Sequence, residues 1–233
     1  DQQMYEDAMF GILRTITANH PDFVKDVVAV SVDAFRDTTV LLDEHNKPVR
    51  NTILWSDQRT ADVRKKLPIK QRFLFKLVGM DRAIRAIRRK TKSRWVQQHE
   101  PEVWARVKKV VCFSAYMNSL LVGKLVDCYA SSMGHIPFDN KGKKWMGKHS
   151  LLFPVFDLTV EQVEIPLFAP GEVMGYVTAE AAAKSGLPEG LRVIASGSDK
   201  GCETIGVGCL ERNTASVSFG TSSSVQFTTD KYF

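Results

Sequence analysis

The chain has 233 residues, 44% hydrophobic and 25% charged, with a net charge of +6, ordinary values for a globular protein long enough to bury a core. No run approaches the roughly 18–20 apolar residues that cross a bilayer, and the polar, acidic start DQQMYEDAMF is unlike a signal or transit peptide, so a cytoplasmic protein is expected. Cys112, Cys128, Cys202 and Cys209 are too few and scattered for a disulfide framework, and no CxxC or HExxH spacing offers a protein-ligated metal site.

Tyr5, Met9, Ile12, Leu13 and Ile16 follow helical spacing, which predicts an amphipathic helix over 4–18 ended by His20-Pro21. VVAVSV (27–32) is a near-continuous β-branched run, the pattern of a strand covered on both faces. TTVLLDE and VRNTILW are strand-like runs separated by HNKP, a hairpin signal. From Gln58 to about Val107 the pattern is helical, interrupted at Pro68, Gly79 and Pro101. VKKVVCF (107–113) returns to strand, and SAYMNSLLVG reads as a helix closed by Gly123. Residues 127–170 are rich in Pro and Gly and read as loops. Then come the strand VMGYVT, the helix AEAAAKSG, the strand RVIASGS, a helix from about Lys200, and a hairpin from ASVSFGT and SSVQFTT. Strands alternating with helices before a hairpin indicate an α/β protein with a mixed β-sheet flanked by helices.

Charge is uneven. Arg64 to Arg94 hold 13 Lys/Arg and one acid, Asp81, a local +12 that leaves the rest of the chain at −6. Such a stretch fits a nucleic-acid or anionic-membrane patch, but it also fits a solvated helical face, because DRAIRAIRRK spaces Ile84 and Ile87 three apart. No aromatic residue interleaves the charges from Arg82 to Arg94, as a base-stacking platform requires. Neither nucleic acid nor membrane is therefore expected as a partner.

Four stretches could carry chemistry. In SGSDKG, small residues 196–198 allow close approach to the backbone, and Asp199 projects at a helix N-terminus. It could orient a hydroxyl and take its proton, or simply cap the helix. SVSFGTSSSV places Gly220, Thr221 and Ser222 at a hairpin tip that could cradle a phosphate, or could be a plain turn; it is not a Walker A loop. AFRDTT sets Arg36 and Asp37 just beyond a strand, as fixed donors and acceptors for a polyhydroxylated ligand or as a surface ion pair. ILWSDQRT ends another strand with Trp55, whose indole could face a sugar or sit in the core.

Taken in order, AFRDTT, ILWSDQR, KSRWVQQHEPEVW, DCYASS, SGSDKG and SFGTSSS resemble the segments of the FGGY family of carbohydrate kinases, over essentially all of residues 27–233. The resemblance implies a ribonuclease-H-like (actin-like ATPase) fold with two lobes: residues 1–212 the N-terminal, substrate-binding domain without its first strands, and 213–233 the start of the C-terminal, nucleotide-binding domain. It implies Asp199 as the catalytic base, Arg36, Asp37 and Trp55 as substrate-binding residues, and Gly220, Thr221 and Ser222 as a phosphate-binding turn. Arg36-Asp37 matches the Arg-Glu of glycerol kinases, where xylulokinases carry Met-His. No counterpart of the glycerol-kinase tyrosine precedes Thr91-Lys92, which argues against glycerol.

The activity so implied is ATP-dependent phosphorylation of a sugar or polyol hydroxyl, with Mg²⁺ bound mainly through ATP phosphates and water, and with a homodimer possible. The start at Asp1 suggests preceding sequence, and the family's first phosphate hairpin and adenine site would lie outside the chain, so the chain alone is expected to be inactive. A sugar-binding pseudokinase or sensor of the same fold is the alternative, and a nucleic-acid binder using residues 64–94 a third.

Overall fold

A computed structural model describes residues 1–64, 67–132, 134–220 and 223–230. In chain order it contains α1 (Gln2–Asn19), α2 (Pro21–Asp26), β1 (Ala29–Ser31), β2 (Thr39–Leu42), α3 (Ile69–Leu77), α4 (Asp81–Lys90), α5 (Lys92–His99), α6 (Pro101–Ala105), β3 (Lys109–Cys112) and α7 (Phe113–Val122). The short strands β4 (Asp127–Cys128), β5 (Phe138–Asp139) and β6 (Lys144–Trp145) follow, then a 3₁₀ turn at Phe153–Val155, α8 (Val160–Val163) and β7 (Leu167–Phe168). The rest is β8 (Val173–Tyr176), α9 (Ala179–Ser185), β9 (Arg192–Ile194), α10 (Asp199–Gly206), β10 (Ala215–Ser218) and β11 (Ser224–Phe227).

The central sheet is mixed, in the order β1-β9-β8, with β1 parallel and β8 antiparallel to β9. Helices α1, α7 and α9 pack with it around Phe10, Leu121, Met174, Ala181 and Val193. A second core gathers Leu41 of β2 and Val110 of β3 with Phe75, Ile84 and Val96 of α3, α4 and α5. Helix ends follow local chemistry. Gly123 and Gly186 close α7 and α9 with φ of 71° and 77°, values that glycine adopts without a Cβ clash, and Thr178 caps α9 by accepting the N–H of Ala181.

Three expectations are corrected. β1 is not covered on both faces: Ala29 and Val30 are half-buried and Ser31 is exposed. The run after β2 forms a turn and two isolated bridges, Leu42 to Pro48 and Thr39 to Ile53, because β2 gives its regular pairing to the distant β3. Residues 58–64 form no helix. Their polar groups bond outward, the Ala61 N–H to Arg89 O at 2.8 Å and the Asp62 N–H to Gln98 Oε1 at 2.8 Å, instead of to the next turn.

Candidate active site

The parallel pair β1 and β9 carries the site at its carboxyl ends, where open α/β sheets generally bind ligands. Past the strands the two chains stay tied: Ser196 Oγ donates to Val32 O at 2.6 Å and the Asp199 N–H donates to Ala34 O at 3.1 Å. This brings the turn after β1, with Arg36 and Asp37, beside the N-terminus of α10, with Asp199. Phe35 stacks on Phe113 with centroids 4.8 Å apart, and Tyr5 meets Phe113 edge-on at 4.9 Å, so an aromatic anchor fixes the backbone beneath Arg36.

Whether Asp199 merely caps its helix is decided by its neighbour. The N-cap is Ser198, buried, whose Oγ accepts the Gly201 N–H at 3.4 Å. Asp199 is thereby left with its side chain 36% exposed, its carboxylate accepting the Lys200 N–H at 2.8 Å and lying 3.8 Å from Arg36 Nε. Trp55 is not core: it is 50% exposed, placed by a 3.0 Å hydrogen bond from its N–H to the buried Thr38 Oγ1. Arg36 and Asp37 do not pair with each other either. Arg36 turns to Asp199, and Asp37 accepts from His135.

Asp199, Arg36, Asp37 and Trp55 line one cavity of about 450 Å³, together with Phe35, Gly134, His135, Asn140 and Lys200. A second cavity of about 730 Å³ adjoins it, sharing Arg36, Asn140 and Lys200, and reaches Ser224, Val225 and Gln226 of β11. Gly220 lines neither cavity, and Thr221 and Ser222 lie outside the described residues. Beside Asp199, burial pushes the Asp33 carboxyl up, with the Asp199 and Glu203 charges adding and a hydrogen bond with Cys202 opposing. Asp57 and Arg59 of ILWSDQR are structural. Asp57 holds Arg59 at 2.8 Å, Arg59 lies 4.5 Å over the Trp95 ring, and Lys92 Nζ donates to the Asp57 carbonyl.

Sequence reasoning missed His135, Asn140 and Lys200. His135 and Asn140 fall in the stretch that reads as loop, Lys200 marks the start of the predicted helix beside Asp199, and the Asp37-to-His135 pairing spans 98 positions, which no local pattern reveals. The signal available was the pairing of Gly134 with a following polar ring inside a Pro- and Gly-rich segment.

Residues 6–206 match the family model described as the FGGY family of carbohydrate kinases, N-terminal domain. The chain belongs to that family. Xylulose kinase of Lactococcus lactis subsp. lactis is 29% identical over 218 residues, 92% of this chain and 42% of that protein. Xylulose kinase of Staphylococcus epidermidis is 28% identical over 201 residues, 85% of this chain and 38% of that protein. The chain thus spans about two fifths of the length of these relatives. Among solved structures, xylulose kinase from Rhodospirillum rubrum superposes with a TM-score of 0.75 at 23% identity, covering 97% of this chain and 45% of that one. Gluconate kinase from Lactobacillus acidophilus superposes at 0.72 with 20% identity, covering 97% and 44%. The fold of this FGGY chain is the ribonuclease-H-like, actin-like ATPase fold of those sugar kinases. No helix among its described residues is long and apolar enough to cross a membrane.

Proposed function

We propose that this FGGY chain supplies the sugar-binding lobe of a kinase that transfers the γ-phosphoryl group of ATP to a hydroxyl of a sugar or polyol. The observation that carries the proposal is Asp199, released from capping by Ser198 and opening onto the cavity it shares with Arg36, Asp37 and Trp55. In this reading Asp199 accepts the hydroxyl proton as the oxygen attacks the γ-phosphorus in line; the bond to the β-phosphate oxygen breaks and ADP leaves. Phosphoryl transfer of this kind is largely positioning and charge stabilisation. Trp55 offers an indole surface to the sugar ring, and Arg36, at the boundary of both cavities, is placed to reach either sugar oxygens or the incoming phosphoryl group. Gly220, Thr221 and Ser222 are proposed as the phosphate turn of the second lobe, which we place at 213–233, after a substrate lobe at 1–212. The hairpin β10–β11 pairs with no other strand among the described residues, which supports that division.

Among the described residues no group of three or more His, Cys, Asp or Glu could cage a metal. An Mg²⁺ is expected to come with the ATP, held by its phosphates and water, and would neutralise charge on the transferring group. The names of the relatives make xylulose the first substrate to try, whereas Arg36-Asp37 is the pair expected of a polyol site. Small-molecule sugars, not macromolecules, are the partners this cavity fits.

The test is ADP release by the full-length protein, with a panel of ketoses, polyols and sugar acids. Asp199→Asn is expected to lower kcat about 10²–10⁴-fold, the usual range for losing a general base, while the sugar still binds. An unchanged kcat removes Asp199 from the chemistry.

A further inference from the structure

Both oxygens of the Asp37 carboxylate lie against His135 before any ligand arrives. Its Oδ1 accepts the His135 backbone N–H at 2.8 Å, and His135 Nδ1 lies 2.7 Å from Oδ1 and 2.8 Å from Oδ2. The pair is closely built. Asp37 sits at a φ of 56°, a left-handed conformation that is unfavourable for a non-glycine residue and that Asp tolerates better than most. Gly134, at a φ of 139°, lies so close that a Cβ there would be 2.7 Å from both Asp37 Cα and Asp37 Oδ1. A glycine is therefore required for Asp37 and His135 to meet.

The consequence is chemical. A carboxylate accepting from Nδ1 holds the proton on that nitrogen, which leaves the lone pair of a neutral imidazole on Nε2. No described residue bonds to His135 Nε2, and the ring, 23% exposed, lines the cavity that holds Asp199 and Trp55. We propose that His135 is a substrate-binding residue whose Nε2 accepts a hydrogen bond from a sugar hydroxyl, and that Asp37 is a positioning residue acting through it. This reassigns Asp37, which the resemblance to the family made a direct substrate contact. It rests on the reading of the cavity as a sugar site but not on catalysis.

The experiment is calorimetric titration of the full chain with D-xylulose, D-gluconate and glycerol, with ADP release followed in parallel on the full-length protein. At least one of the three is expected to bind the unmodified chain; if none does, the inference is overturned. His135→Asn keeps a donor at the Nδ1 position and deletes Nε2, and is expected to weaken binding roughly 10–100-fold, the range for losing one buried hydrogen bond. His135→Gln returns a polar atom near the Nε2 position and is expected to recover part of the loss. Asp37→Asn should cost less than His135→Asn, and the double variant should bind no more weakly than His135→Asn alone. Additive losses, or a larger loss from Asp37→Asn, would put Asp37 on the sugar directly and overturn the assignment.

Should the substitutions disturb the loop, the unmodified protein still decides. The ¹⁵N resonance of His135 Nε2 is expected to report the Nδ1–H tautomer and to move on addition of the bound sugar; an unmoved resonance refutes the contact. If binding and its dependence on His135 persist without any ADP release, the kinase reading fails and the assignment of His135 stands.

Discussion

At the scale of single residues, Asp127 is the carboxyl whose surroundings most disfavour its charge. It is fully buried, and burial pushes it up to about 7, although Ser114 Oγ at 2.6 Å, the Cys128 N–H at 2.9 Å and Asn118 Nδ2 at 3.4 Å pull the other way. Asn118 Oδ1 is buried without a donor; the same amide rotated half a turn would accept from a protonated Asp127. Because the folded group holds its proton to higher pH than the unfolded one, the folded state binds more protons between about pH 4 and pH 7. Stability contributed by Asp127 is therefore present below about pH 4 and lost as pH rises through about 7. The full loss is on the order of 4 kcal/mol. Asp127→Asn keeps an oxygen for the Cys128 N–H and carries no charge. It is expected to melt higher than the unmodified chain at pH 8, with the difference shrinking toward pH 5. Parallel melting curves across that range would show that Asp127 is already accommodated as a carboxylate.

At the scale of elements, α10 shows how a helix start can divide two tasks between adjacent residues. Ser198 satisfies the orphan Gly201 N–H, and Asp199, at the first helical position, is free to face the cavity. Ser198→Ala is expected to cost about 0.5–2 kcal/mol, read as a melting-temperature drop of roughly 2–4 °C per kcal/mol for a chain of this size. It should also lower kcat more than it raises KM, because the helix end that aims Asp199 frays. Ser198→Thr should restore both; equal loss in the Thr variant would mean that burial, not capping, sets the requirement. The helix itself was legible from its Gly/Ser turn, as were α7 and α9 from the glycines that close them. What local pattern did not carry was which residue caps, since both Ser198 and Asp199 are good caps and only the bond from Gly201 separates them. The same limit explains β2, whose partner β3 lies some seventy positions on, and β1, whose β-branched run reads as buried although its residues are half-buried or exposed. Trp55, Arg36 and Asp37 were legible as candidates. Their common cavity with His135 was not, because it depends on the return of a loop a hundred residues later.

At the scale of the whole molecule, the +12 stretch from Arg64 to Arg94 is partly structural and partly a solvent face. Arg94 is 2% exposed: its Nη1 lies 3.0 Å from Asp157 Oδ2 and its Nη2 donates to Val155 O at 3.0 Å, so it fastens α5 to the 3₁₀ turn beneath the second core. Burial works against its charge and Asp157 offsets that. Lys92 is likewise committed to the carbonyls of Asp57 and Arg59. By contrast Arg82, Arg85, Arg89 and Lys90 lie on the exposed side of α4, opposite buried Ile84, and Arg85 reaches Asp81 only at 3.8 Å. Two residues of the same type in one basic run should then behave differently. Arg94→Ala removes a buried side chain, a carbonyl bond and an ion pair at once, and is expected to destabilise the chain by roughly 2–4 kcal/mol. Arg85→Ala loses one loose surface pair and should stay within about 0.5 kcal/mol. Urea denaturation of both variants measures the contrast. If Arg94→Ala is as mild as Arg85→Ala, the run acts as one solvated face, and the division of its charges between core and surface is wrong.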